Sequence, residues 1–257
     1  MELAPDAAAA GVGLIAHDTV GSTNALALAQ AWAGERGPLW VTARAQTAGR
    51  GRRGRVWVSE PGNLYASLML TDPAPPGRAA QLAFVAALAV ADALAAAAPG
   101  IAERVAFKWP NDVLLSGAKV AGILIEAEGT RPLMVAIGIG INCRHHPEDA
   151  EYPATDLAAA GAAVTVEALF AALSDAMVHR LREWQAGFAS LRAAWLARAA
   201  GLGGELRVRL GTRELTGRFE GLDDDGRLLL GCVDGAVETI AAGEVFPVAP
   251  ATAPVRR

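Results

Sequence analysis

Hydrophobic positions follow two rhythms along this chain, and the rhythm changes near Gly201. Before that point, short apolar runs alternate with longer stretches of helical period. Residues 14–17 read as a strand, and Gly21-Ser22-Thr23-Asn24 as a turn into a helix running to about Trp32. Ser22 or Thr23 can serve as its N-cap, and Gly34 to Pro38 end it. Residues 39–45 and 64–70 are strands on either side of a loop crowded with Gly and Arg. Pro73 to Gly77 break the chain before a long helix over about 78–98. Residues 105–108 form a strand stopped by Pro110. Residues 113–115 and 119–127 form a hairpin about Ser116-Gly117, and 133–141 form a strand with glycines near its end. Residues 143–164 show no period, and helices follow over about 166–186 and 188–199.

Beyond Gly203 the pattern becomes one of short alternating strands at 205–210, 215–222, 227–230 and 237–240. Gly211-Thr212, Asp225-Gly226 and Asp234-Gly235 mark the turns between them. Four or five strands in so short a span predict a small barrel. The expected organisation is a flexible segment over 1–13, a main domain over 14–202, a barrel over 203–250 and a flexible tail over 251–257. No internal repeat is visible.

Composition narrows the class. A chain of 257 residues, 53% hydrophobic and with a net charge of −4, describes a soluble globular protein of one medium domain and a small appendage. Its mild acidity gives no general attraction to nucleic acid or anionic membrane, so any phosphate recognition must be local. The two cysteines, Cys143 and Cys232, form neither a disulfide framework nor a ligand-spaced pair, which makes the cytoplasm the expected compartment. Residues 1–13 lack the basic start and apolar centre of a signal peptide. The longest apolar stretch, 82–98, is mostly alanine and contains Asp92. A bilayer span needs about 20 strongly apolar residues, so this one reads as a packed core helix and no membrane association is expected.

Four segments carry candidate chemistry. In Gln46-Thr47-Ala48-Gly49-Arg50-Gly51-Arg52-Arg53-Gly54-Arg55-Val56-Trp57, arginines crowd together with glycines between them. Glycines free backbone N–H groups, and the planar guanidinium fork suits phosphate, so the segment fits a loop that orders over an anion. It fits equally a solvated basic loop or an Arg/Gly patch touching RNA. In Lys108-Trp109-Pro110-Asn111-Asp112 a strand enters a rigid corner and presents an amide and a carboxylate; the same residues also simply close a turn. Lys119 opens an apolar strand with Gly122 beside it, as a ligand-facing cation or as an ordinary strand-edge residue. Gly138-Ile139-Gly140-Ile141-Asn142 thins a buried strand, for a ligand or for a tight crossing of backbones.

Other patterns are weaker. Cys143, His145 and His146 lack a second ligand pair, so no metal site is expected. Asp223-Asp224-Asp225-Gly226 lacks the later ligands of a calcium loop and reads as a hairpin turn. Neither a nucleophile elbow nor a Walker A loop is present.

Taken in order, Ser22-Thr23-Asn24, Gln46 with 49–54, the 108–112 run, 119–126 and 138–142 closely resemble the biotin–protein ligases. The resemblance covers about residues 14–142, and the C-terminal barrel fits it. It implies an α+β fold: a mixed sheet flanked by helices, of the class II synthetase-like kind, followed by an SH3-like barrel. It also implies that Ser22, Thr23 and Gln46 bind the ureido head of biotin, with Asn24 supporting that wall. Arg50, Gly51 and Arg52 would close over the carboxylate and phosphates, and Arg55 with Trp57 would cover the nucleotide. Lys119 would bridge the carboxylate and the α-phosphate, while Lys108, Asn111, Asp112 and Asn142 would meet ATP or the adenylate. The implied activity is formation of biotinyl-5'-AMP from biotin and ATP, with Mg²⁺ as counter-ion. The biotin then passes to a lysine of a biotin carboxyl carrier domain.

The chemistry explains the cations: a carboxylate attacking a phosphate brings two anions together, and Lys119 and Arg50 would cancel the charge that builds in the transition state. Asp112 would orient the acceptor lysine or take its proton. Family members that repress transcription carry an N-terminal helix-turn-helix. Only residues 1–13 precede the first strand, so operator binding is not expected. A homodimer through a sheet edge stays open. The rival readings are a lipoate–protein ligase, a non-catalytic sensor of biotin or its adenylate, and an RNA-binding module.

Overall fold

The structure is a computed structural model and describes residues 1–248. Strands β1 (Gly13–Val20), β2 (Leu39–Gln46), β3 (Leu64–Thr71), β4 (Val105–Lys108), β5 (Asp112–Leu115), β6 (Ala118–Glu128) and β7 (Met134–Ile141) form one sheet, ordered β1-β2-β3-β7-β6-β5-β4. The β1–β2 pair is parallel and every other pair antiparallel, so the sheet is mixed as expected. The parallel pair needs a crossover, which helix α2 (Thr23–Trp32) supplies.

Strand pleating sorts the side chains of β7 to two faces. Val135, Ile137, Ile139 and Ile141 enter the main core, against α3 (Leu82–Ala97), α4 (Val166–Ala186) and α5 (Ala189–Leu196). Ala136, Gly138 and Gly140 alternate with them on the α2 face, where a smaller core of Ala27, Leu28, Leu39, Val41 and Met69 lies beside the site. Helix α3 is long and apolar enough, with the turn before it, to pass for a membrane span. Most of it is instead buried between the sheet and α4, and Asp92 is held there by Arg180 at 2.7 and 3.0 Å.

The second sheet, β11-β10-β9-β8-β12, comprises β8 (Glu205–Leu210), β9 (Arg213–Leu222), β10 (Leu228–Gly231), β11 (Val237–Ile240) and β12 (Glu244–Pro247), all antiparallel. It docks on the first unit through Trp109, whose buried indole Nε1 donates to Gly226 O at 3.1 Å. Arg192 reaches Asp224 across the same junction.

Two elements differ from expectation. Residues 1–13, expected to be flexible, contain helix α1 (Pro5–Ala9), whose Ala7 is fully buried. Ala4 N there donates to Ser174 Oγ of α4 at 3.0 Å. Five residues, mostly alanine, are too few to show a helical period; the helix exists because Ala7 packs on α4. β12 was also unanticipated, being four residues that end in proline. The expected tail at 251–257, and positions 249 and 250 of the barrel, lie outside the described residues.

Candidate active site

The polar end of the site starts at the first turn of α2. Ser22 Oγ accepts from Ala25 N at 3.4 Å and caps the helix, so the next two side chains project over the sheet. Thr23 and Asn24 are buried there. Gln46, at the end of β2, accepts Thr23 N at 2.8 Å and Thr23 Oγ1 at 3.0 Å through Oε1, and donates from Nε2 to Ser59 Oγ at 2.9 Å. Ser67 of β3 sits beneath, 2.8 Å from Thr23 Oγ1 and 2.6 Å from Asn24 Oδ1.

Glycines make the floor. In register, Ser67–Gly138–Leu124 and Tyr65–Gly140–Gly122 form two rows across β3, β7 and β6. A Cβ on Gly138 would lie 2.4 Å from Asn24 Oδ1, and one on Gly140 would lie 2.6 Å from Trp57 Nε1. The close approach predicted for this strand is thus used by the chain's own Asn24 and Trp57. Trp57 Nε1 is buried without a hydrogen-bond partner among the described residues.

The cationic end continues the second row, since Asp112 of β5 pairs with Gly122. Asp112 is nearly fully buried between two ammonium groups, with Lys119 Nζ at 2.6 Å and Lys108 Nζ at 2.9 Å. Burial alone pushes its carboxyl up, but the two lysines hold it below the usual carboxylate range. Lys119 Nζ also lies 5.2 Å from the Trp57 ring centroid. Asn111 donates to Ile123 O and accepts from Arg52 Nη1 at 3.3 Å. Asn142, buried at the end of β7, donates to Thr155 O at 3.0 Å.

The Gly/Arg loop folds back on itself: Arg50 pairs with Val56, and Trp57 N donates to Gly49 O at 3.0 Å. At its tip Arg53 and Gly54 adopt left-handed φ values of 56° and 73°. Its arginines are held by this chain's own acceptors. Arg50 pairs with Glu126 at 3.0 Å, Arg52 donates to Gly243 O at 3.2 Å, and both Arg53 and Arg55 pair with Glu244 of β12. Burial pulls the Arg52 guanidinium down from its usual range, and Arg53 and Arg55 add to this against the opposing pull of Asp112.

Between these walls lies a cavity of about 260 Å³. Every candidate named from the sequence lines it: Ser22, Thr23, Asn24 and Gln46 at one end, Arg50, Gly51, Arg52, Arg55 and Trp57 across the mouth, and Lys108, Asn111, Asp112, Lys119 and Asn142 at the other end. Sequence reasoning missed Tyr152, Glu244 and Phe246, which line it too. Tyr152 lies in the aperiodic stretch, and Lys108 Nζ sits 4.6 Å from its ring centroid. The other two belong to β12.

The weaker patterns resolve as structural. His145 bonds Asn63 and Pro61, and His146 bonds Asp156 at 2.6 Å, so they do not converge with Cys143. Burial pushes the Cys143 thiol up to about 11, leaving it a poor nucleophile. Asp223 accepts Asp225 N and Arg227 N and closes the β9–β10 turn.

The mixed sheet and its antiparallel appendage have counterparts in known proteins. Residues 21–142 match the biotin/lipoate A/B protein ligase family, and residues 201–246 match the biotin protein ligase C-terminal domain. A biotin–[acetyl-CoA-carboxylase] ligase from Paracoccus denitrificans is 48% identical over 238 residues, covering 88% of this chain and 96% of that one. The bifunctional ligase/repressor BirA of Bacillus subtilis is 36% identical over 89% of this chain and 72% of its own length. The biotin protein ligase of Aquifex aeolicus, solved in complex with biotin and ATP, superposes with a TM-score of 0.77 at 29% identity, over 91% of this chain and 97% of that one. This chain belongs to the biotin/lipoate A/B protein ligase family.

Proposed function

We propose that this protein activates biotin with ATP to biotinyl-5'-AMP and transfers the biotin to a lysine of a carboxylase's carrier domain. The observation that carries this is a cavity that has a neutral hydrogen-bonding wall at one end and Lys119, Lys108 and Arg52 around the other. A ureido head buried against Ser22, Thr23 and Gln46 exchanges its water for their amide and hydroxyl groups. An unpaired head would cost about 1–3 kcal/mol. The valeryl chain would then run along the Asn24 side chain and the Trp57 ring, which rest on Gly138 and Gly140, toward Lys119, placing its carboxylate beside the cations.

Lys119 and Arg50 neutralise the carboxylate and the α-phosphate as they approach, and stabilise the charge that builds between them. Arg52, Arg55 and Trp57 cover the nucleotide, with Asn111 and Asn142 against the adenylate. MgATP is the substrate: the metal rides on the phosphates. The carboxylates lining the cavity, Asp112, Glu151 and Glu244, are all paired with cations of this chain. Asp112, with its proton affinity lowered by two lysines, orients them and is a poor base for the acceptor amine. We read 14–202 as the catalytic unit and the barrel from 203 as a clasp, since Glu244 and Phe246 complete the cavity wall. The unpaired Cys143 and Cys232 suit a cytoplasmic setting. No role for nucleic acid is proposed. The homodimer left open by the sequence would have the exposed edge of β1 available to it.

Lipoate is the nearest rival acid, but its dithiolane head offers nothing to the polar wall of Thr23 and Gln46. The test is incubation with biotin, MgATP and a biotin carboxyl carrier domain, followed by mass measurement. The expected product is the carrier with one biotin on a lysine. Transfer of lipoate alone, or of neither acid, contradicts the proposal.

A further inference from the structure

We propose that Glu126 is a positioning residue that ties the head end of the cavity to Arg50, an inference that rests on the function proposed above. Glu126 lies on the cavity side of β6, in register with Ala136 and Met69. It stands behind the residues that line the cavity. Its carboxylate accepts Asn24 Nδ2 at 2.8 Å and Arg50 Nη2 at 3.0 and 3.1 Å. Ser67 Oγ donates to Asn24 Oδ1 at 2.6 Å and can accept the Thr23 hydroxyl at 2.8 Å, while Thr23 N donates to Gln46 Oε1 at 2.8 Å. One run of hydrogen bonds thus joins the side chains that would hold the biotin head to the arginine that would hold its carboxylate.

Holding Nη2 from behind leaves Arg50 Nε and Nη1, which have no carboxylate partner among the described residues, for the ligand. The ion pair is too exposed to contribute much to stability, so a purely structural purpose accounts for it poorly. Glutamine at this position would keep an acceptor for Asn24 and lose the charge that holds Arg50. Head binding and arginine placement can therefore be separated.

Four proteins decide the matter: the parent, Glu126→Gln, Arg50→Ala, and the two substitutions combined. Each is measured for biotin affinity by calorimetry, for adenylate formation in a single turnover, and for adenylate escape into solution. Glu126→Gln is expected to keep biotin affinity within about twofold, while formation slows and escape quickens by on the order of tenfold, the effect of one charge-assisted hydrogen bond. In the Arg50→Ala background it should add nothing. Parental formation and escape in Glu126→Gln overturn the proposal, as does an equal effect with and without Arg50. Tryptic cleavage after Arg50 in the ligand-free protein is a readout independent of catalysis. It should be on the order of threefold faster in Glu126→Gln, and equal rates overturn the proposal. If the parent makes no adenylate from biotin, the proposed function fails, and the tryptic comparison still decides on Glu126.

Discussion

The Trp57 indole lies directly over Gly140, so closely that a Cβ there would come within 2.6 Å of its Nε1 and 2.7 Å of its Cε2. The glycine is what lets a loop residue rest on the floor of the cavity, and the indole N–H buried there has no partner of its own among the described residues.

Gly140→Ala should therefore displace the ring and narrow the slot that the valeryl chain would use. The contact is with a large ring, so relief needs movement of the loop, at about 1–3 kcal/mol. The expected result is a loss of biotin affinity of about tenfold or more by calorimetry, with a smaller change in melting temperature. Unchanged affinity would mean that the ligand does not pass along the Trp57 ring.

Lys119→Ala should slow adenylate formation by about 100-fold or more while weakening biotin binding far less, because the ammonium acts most strongly as charge builds on the reacting oxygens. Single-turnover kinetics beside equilibrium binding separate the two. Equal losses would reduce Lys119 to a binding group.

Asp112→Ala leaves Lys108 and Lys119 together without their shared counter-ion, their side chains only 12% and 25% exposed. The expected destabilisation is about 3 kcal/mol by urea unfolding at neutral pH. The folded pKa of Asp112 is depressed, so its contribution is fully present above the unfolded value of about 3.9 and is lost as pH falls through the lower folded one. The stability difference between parent and variant should shrink as pH is lowered below about 4. A difference that grows on acidification contradicts the ion triad.

Glu244 is 11% exposed and faces Arg53, Arg55 and, at 3.7 Å, Arg209. Glu244→Ala should loosen the hold of the barrel on the Gly/Arg loop. The KM for ATP should rise by about tenfold, the loss of a charge-assisted contact, while biotin affinity stays near the parent's. A change in biotin affinity alone would place the clasp at the wrong substrate.

Local pattern carried most of the fold, because strand alternation, the α2 cap and the turn glycines are short-range signals. Helix 166–186 and strands 105–108, 205–210 and 237–240 appear with the bounds expected. Contacts made by register or across the two units were not legible. Glu126 and Ser67 look like ordinary strand residues until pairing sets them in rows beside Ala136 and Gly138. Glu244 becomes visible only when β12 folds back along β8 toward the arginines. The arginine cluster fitted a loop that orders over an anion, yet Glu126 and Glu244 supply countercharge within the chain. Sequence spacing alone cannot distinguish those sources.

The proposed activity requires one cavity to bring the carboxylate of biotin to the α-phosphate of ATP. Exchange of labelled pyrophosphate into ATP, measured without any carrier protein, tests it most directly. Exchange that requires biotin, is absent with lipoate and collapses in Lys119→Ala is the predicted result. Exchange that ignores biotin, or tight biotin binding with no exchange, would contradict it.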